Sequence, residues 1–541
     1  MTEDHASMME AALLRRPSAL VSSELSVAYH HDVTLMSLES MESVAMMSKP
    51  EPDVRNGYTR LRGASVQALG PEGDMTHDKD DTLPHEKSEF KKLCALSAPI
   101  VFTYILEFLP GVISIMLVGR MDSPLTKEYV GGATLSSMFI YLSGEAPGFG
   151  LATALDTLCS QAYGAGKPQR IGISFQTGVI VLSVVFIPIF FLNWYSEQFM
   201  IWMHQPEEVT ELAGIFSRWL LPGLPFLFLY ELLKKVMQAQ NVVAPMVWIA
   251  ILSNVVNLAL GIWLTWYTSL GYEGAAIART ISNVVLPAAA IPYFMWKPEA
   301  FHVWWPGFQP KQALAHVKVF LTLGVPGMFM LVLEWLSYEI MAVFVGWLPN
   351  SVVAISVHSV LSNVANIAFH VFIGISVAAT VMVGNYVGSG QHDHAKMASQ
   401  LGMKLSLAVA VLIVVLIAAL HRQLPQMFIG DDESVSESAK AILSLIPFEL
   451  LDSLNCVMQG VFRGTGRQKF AAILNLLAYF VVGLPFGFLL AFQLDCGVQG
   501  FWLGLTGGYL LSVCISLVKI CRTDWIAMSE EAEARLERDE S

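Results

Sequence analysis

The stretch Ile171-Gly-Ile-Ser-Phe-Gln-Thr-Gly-Val-Ile-Val-Leu-Ser-Val-Val-Phe-Ile-Pro-Ile-Phe-Phe-Leu-Asn-Trp194 contains no charged side chain. A helix needs about 20 mainly apolar residues to cross the hydrocarbon core of a bilayer, and buried helices of water-soluble domains are rarely this long. Comparable stretches recur at roughly 97–119, 130–155, 212–236, 244–268, 274–296, 317–346, 353–384, 401–420, 437–462, 470–493 and 498–520. Composition agrees: 54% of residues are hydrophobic and 14% charged, against about a quarter charged in soluble domains. The fold class expected is an all-α integral membrane protein of twelve transmembrane helices, with the lipid bilayer as its solvent.

Working outward from the spans, residues 1–92 are polar, rich in Ser, Glu, Asp and Met, and read as a disordered cytosolic tail. No apolar signal-peptide core follows Met1, so the first span is expected to act as the insertion signal. Residues 93–296 form a first lobe of six spans, 297–316 a cytosolic connector, 317–521 a second lobe of six, and 522–541 a cytosolic tail. Its last part, from Ser529, reads as a short acidic segment that can be helical and has no membrane-facing stripe. Basic residues gather in one set of loops: Lys91, Lys92, Lys167, Arg170, Lys311, Lys396, Arg467 and Lys469. Acidic residues such as Glu207, Glu208, Glu273, Asp432 and Asp495 gather in the other set, so both termini are expected in the cytosol.

The two halves read as copies. Ser97-Ala-Pro-Ile recurs loosely as Gly324-Val-Pro-Gly, an offset of 227 between Pro99 and Pro326. Gln161-Ala-Tyr-Gly-Ala-Gly166 recurs as Asn385-Tyr-Val-Gly-Ser-Gly390, with 224 between Gly164 and Gly388. Leu270-Gly-Tyr-Glu-Gly-Ala recurs as Cys496-Gly-Val-Gln-Gly-Phe, with 226 between Gly274 and Gly500. An even number of spans per copy inserts both in one orientation, which predicts two parallel six-helix repeats around a central cavity.

These motifs also carry a family likeness. Ala154-Leu-Asp-Thr-Leu-Cys-Ser-Gln-Ala-Tyr-Gly-Ala-Gly-Lys167 resembles the signature of multidrug and toxic compound extrusion (MATE) transporters of the eukaryotic type. So do Gln238-Ala-Gln-Asn241, Glu334-Trp-Leu-Ser-Tyr-Glu339, Gln459-Gly-Val-Phe-Arg-Gly-Thr-Gly-Arg-Gln-Lys469 and Ala478-Tyr-Phe-Val-Val-Gly-Leu-Pro485. The resemblance spans about 95–520 and implies a V-shaped cleft between two six-helix bundles. It further implies export of organic cations, xenobiotics or related metabolites in exchange for protons or sodium, with no cofactor. Asp156, Thr157, Gln161, Gly164, Gln240, Arg463 and Gly464 fall on family-motif positions and read as structural, with Arg463, Arg467 and Lys469 as loop anchors. Met382 stands where the second copy of the signature usually has Arg, and Glu107 and Glu145 stand where neutral residues are usual.

Acids inside spans matter because a carboxylate at mid-membrane costs about 2.5–3.5 kcal/mol or more. Glu107, Glu145, Glu231, Glu334, Glu339, Glu449 and Asp452 all fall there, which predicts a polar and acidic cavity. Removal from water favours a carboxyl's protonated form, and a neighbouring cation favours its ionised form. One such group holds a proton or a cationic substrate but not both, which is competitive antiport. The resemblance assigns coupling to Glu334 and matches the family's tenth-span acid to Asp452; Trp335 offers an aromatic wall for a cation. Glu339, about 140° round the helix from Glu334, reads equally as structural or functional. Glu449 shares a face with Asp452 and reads as either a site residue or a hydrated group near the outer end. Glu107 and Glu145 read either as a first-lobe site with Tyr104 and Tyr141 or as sharing a structural proton. Glu231 reads as the partner of Lys234, three residues on.

Other classes fit poorly. The net charge of −13 opposes nucleic acid. No GxSxG, HExxH or P-loop occurs, and the 13 His and six scattered Cys form no metal-ligand spacing. A lipid or lipid-linked sugar flippase is the alternative transporter, expected to favour a basic cavity. A monomer is expected, in the plasma or vacuolar membrane.

Overall fold

The computed structural model describes residues 85–203 and 205–538, and every regular element among them is helical. The expected disordered tail lies mostly outside the described residues. Its last part, however, is already helix: α1 begins at Glu86 and continues unbroken to Gly119. The first lobe continues with α2 (126–164, in segments), α3 (Gln169–Trp194), α4 (Glu207–Ala239), α5 (Ala244–Trp266) and α6 (Tyr272–Trp296). The second comprises α7 (Val317–Val345), α8 (Ser351–Gly388), α9 (His392–Leu420), α10 (Asp432–Thr465), α11 (Gln468–Gln493) and α12 (Gly497–Cys521). A final helix, α13, spans Trp525–Arg538.

Eleven of these helices are individually long and apolar enough to cross a membrane. The twelfth, α2, is segmented into Thr126–Ile140, a wide π turn at Tyr141–Glu145, Ala146–Ala152 and Ala154–Gly164. Pro147 explains the break: it has no N–H to give the carbonyl four residues back, so the preceding turn loosens. A second π stretch, Leu476–Gly483, likewise runs directly into Pro485. Large apolar side chains such as Phe191, Trp248, Val255 and Leu412 face outward. In water that surface would aggregate; in lipid it is the solvated face.

The lobes meet at the end of the bundle where Glu86 and α13 lie, here called the terminal face. Two contacts there are copies of each other. The backbone of Asn385 lies against Gly164, and the backbone of Gln161 lies against Gly388, closely enough that a Cβ on either glycine would collide. Because Gln161 and Gly164 correspond to Asn385 and Gly388 in the repeat, the contact is self-complementary about a local two-fold. Polar side chains extend the seam. Thr157 Oγ1 donates to the carbonyl of Arg463, Gln161 Nε2 donates to that of Gly464 at 3.0 Å, and Gln468 Nε2 donates to that of Thr153 at 3.2 Å. Tyr386 on α8 donates to Glu89 on α1.

The connector and the tail are both docked. Residues 297–316 hold two short helices, Pro298–His302 and Pro310–Ala315. Trp304 is buried, Gln176 of α3 donates to the carbonyl of Gly307, and Thr177 donates to that of Ala313. The short acidic end is part of a helix whose apolar side chains face protein. Trp525, Met528, Ala532 and Leu536 form a buried stripe at helical spacing. Trp525, Met528 and Ala532 pack among second-lobe residues such as Val383 and Ala395, and Leu536 among first-lobe residues such as Ala162 and Ile171. Arg535 donates to Gln161 and covers Gly466. The helix therefore straddles the seam. Replacing Trp525 and Leu536 together by Ala should cost several kcal/mol, since each large buried side chain lost costs about 2–5. The unfolding midpoint in detergent should fall by several degrees; an unchanged midpoint would mean that α13 is not docked in solution.

Candidate functional site

Between the lobes lies a cavity of about 480 Å³, within the range of small-molecule sites. The seam closes its terminal end; toward the other end its walls run along Ile115, Thr134 and Asn363. Carboxylates on its wall are Glu107, Glu145, Glu231 and Glu339, and cations are Lys234, Lys235, Arg279 and Arg463. Formal charges among these eight cancel, so the cavity is not acidic as expected: the spans supply bases as well as acids. On the second-lobe side Trp335 packs against Tyr141 with ring centroids 4.5 Å apart.

First-lobe acids are paired. Lys234 Nζ lies 2.7 Å from Glu107 and 2.6 Å from Glu231, with the Tyr104 ring centroid at 4.5 Å. Lys235 Nζ lies 2.9 Å from Asp156 and 3.7 Å from Glu231, and Asp156 lies 3.8 Å from Arg463 across the seam. Helix α4 orders this chain, because adjacent lysines at 234 and 235 reach different neighbours while Glu231 sits one turn below both. Glu145 stands apart from it, 3.3 Å from Arg279 of α6.

Three buried second-lobe acids are not paired: among the described residues, Glu334, Glu449 and Asp452 have no basic side chain within ion-pair distance. Glu334 accepts a hydrogen bond from Tyr509 at 3.3 Å, and Tyr509 is 3.2 Å from the hydroxyl of Tyr338. Both oxygens of Glu449 and Oδ1 of Asp452 have no hydrogen-bond partner. Residues Glu449 and Asp452 lie on α10 three apart; Glu334 lies on α7. Among the described residues no group of three or more His, Cys, Asp or Glu is arranged to hold a metal ion.

Set against the sequence reading, the structure brings Glu107, Glu145, Glu339 and Trp335 to the cavity and Glu334, Glu449 and Asp452 to the second-lobe interior. Glu107 and Glu145 share no proton with each other, since each has its own cation. Glu449 is fully buried rather than hydrated. Arg463 is not a loop anchor: it is buried in α10 and lines the cavity. Asp156, Thr157, Gln161, Gly164 and Gly464 all lie on the seam, and Gln240, just past the end of α4, donates to the carbonyl of Val236. The reading missed Arg279, Lys235 and Tyr509. A count of bases within apolar spans, made as it was for acids, finds Arg279 in 274–296 and Lys235 in 212–236; nothing local singles out Tyr509.

Comparison with known proteins places these features. The MatE family model matches residues 99–263 and 326–489, so it fits the chain twice, beginning 227 residues apart. Multidrug and toxin extrusion protein 2 of Mus musculus is 31% identical over 481 residues, covering 88% of this chain and 80% of that protein. Protein DETOXIFICATION 17 of Arabidopsis thaliana is 32% identical, covering 85% and 95%. The crystal structure of the eukaryotic MATE transporter AtDTX14 superposes with a TM-score of 0.78 at 27% identity, covering 83% of this chain and 99% of that one.

The two kinds of acid predict opposite responses to neutralisation. Lys234→Met leaves Glu107 and Glu231 without their shared cation and should destabilise by about 3–5 kcal/mol. Glu449→Gln removes an acid with no partner and should leave the melting temperature unchanged or raise it. Thermal unfolding in one detergent decides; equal losses would contradict the pairing described.

Proposed function

The chain belongs to the MatE family of multidrug and toxin extrusion transporters, and from that premise we propose that it is a proton-coupled antiporter exporting organic cations, xenobiotics or related metabolites. The observation that carries the coupling is the trio Glu334, Glu449 and Asp452, buried without a basic partner. A carboxyl so placed is neutral while it holds a proton and becomes an uncompensated charge when it loses it. Protonation therefore changes the energy of the surrounding lobe in a way the paired first-lobe acids cannot. Sodium would instead need several converging oxygens.

Helix α7 supports a link from proton to cleft. It carries Glu334 in the lobe interior, Trp335 and Glu339 on the cavity wall, and Gly324 and Gly327 packed against α2 at the seam. A shift of this helix when Glu334 changes protonation acts on substrate wall and seam together, as alternating access requires. We assign the terminal face to the cytosol, because Lys91, Lys167, Arg170, Lys396 and Arg467 cluster at that end. The cavity then opens outward, and the monomer in the bilayer is the working unit.

Purified protein in proteoliposomes with an acidic lumen should take up a fluorescent organic cation, and dissipating the pH gradient should stop it. Glu334→Gln and Asp452→Asn should each abolish gradient-driven uptake while the protein stays folded by size-exclusion profile. Uptake driven only by a sodium gradient would change the ion. Full activity in Glu334→Gln would remove that residue from coupling.

A further inference from the structure

Among the cations on the cavity wall, Arg279 is under-used and faces the first-lobe side. Lys234 is consumed by its surroundings: two carboxylates at 2.6 and 2.7 Å, with its side chain 2% exposed. Arg279 differs on every count. Its guanidinium makes one contact to Glu145 and one to Ser137 Oγ, both at 3.3 Å, and its side chain is 13% exposed. Charge-assisted N–H···O bonds are typically about 2.7–2.9 Å, so these two are long, and a guanidinium has five donors in a fixed fork. Gly111 beside it leaves the approach open, as a Cβ there would still stand 3.9 Å from the nearest guanidinium atom. On the other lobe Glu339 lines the same cavity beside Trp335.

We propose that Arg279 is an anion subsite, and that the cavity takes substrates carrying a carboxylate beside their cationic centre. The carboxylate docks in the Arg279 fork on the first lobe, displacing its long contact to Glu145, while the cationic end faces Glu339 and Trp335 on the second. A dipolar substrate thereby engages both lobes and matches a wall whose charges cancel, whereas a simple cation leaves Arg279 facing it as a repulsive neighbour. This inference rests on the antiport reading above and specifies the substrate class of the same site.

The two sides of one ion pair provide the test. Rhodamine 110 carries a free carboxylate and rhodamine 123 is its methyl ester, so the dyes share a framework and differ in that group. In proteoliposomes, Arg279→Gln should raise the KM for rhodamine 110 at least about tenfold, the worth of one charge-assisted bond, and lower that for rhodamine 123, which loses a repulsive neighbour. Glu145→Gln removes the internal competitor and should lower the KM for rhodamine 110. A merely structural pair predicts instead that both substitutions impair both dyes alike, and that result overturns the proposal. So does wild-type uptake of rhodamine 123 with none of rhodamine 110, which leaves antiport standing. Gradient-driven uptake of neither dye overturns the antiport reading and this inference with it.

Discussion

An ionised carboxylate cannot sit in hydrocarbon alone; it takes a cation as neighbour or it takes a proton. Each lobe of this protein answers that constraint differently. The first lobe strings Glu107, Glu231 and Asp156 between its own Lys234 and Lys235, with Arg463 reaching Asp156 from the second lobe, so each of these acids has a cation beside it. The buried acids of the second lobe, Glu334, Glu449 and Asp452, make no ion pair among the described residues. One lobe thereby holds its buried acids in ion pairs, and the other holds three buried acids outside any. The division arises although the lobes are copies in sequence and topology, because the matching helices carry different ionisable residues.

The seam between the copies is built to be specific without being strong. Its centre is backbone against glycine, Gly164 on Asn385 and Gly388 on Gln161, a fit that tolerates no added methyl. Around it, side chains of Thr157, Gln161 and Gln468 donate to backbone carbonyls of the opposite lobe or of α2. Each such bond contributes about 1 kcal/mol net, so the set defines one register yet can be exchanged for another. Glycine shape selects the partner surface, and polar bonds of modest strength line it.

Much of this was legible in the chain. Twelve apolar spans and the three motif pairs at offsets of 224–227 contain the topology, because lipid leaves a helix few alternatives and duplicated genes keep their spacing. The acids Glu334, Asp452, Glu107 and Glu145 stood out for the same reason: charge in an apolar span is conspicuous. What stayed hidden depends on partners distant in sequence. Lys234 meets Glu107 across 127 residues and Arg279 meets Glu145 across 134, so no local spacing separates a paired acid from a solitary one. The docking of α13 was hidden for the same reason, since Trp525 and Leu536 pack against helices far away in sequence.

The wide turn at Tyr141–Glu145 has a consequence for angle rather than length. Ser137 and Glu145 are eight residues apart, which in a regular helix at 100° per residue places them about 80° from each other. A π turn absorbs one residue, equivalent to winding back about 100°, and leaves them roughly 20° apart. Both side chains therefore point at the same guanidinium, that of Arg279. Drawn as one uninterrupted helical wheel, α2 would send Ser137 and Glu145 to different faces. The phase slip upstream of Pro147 is what turns two unrelated polar residues into a single wall.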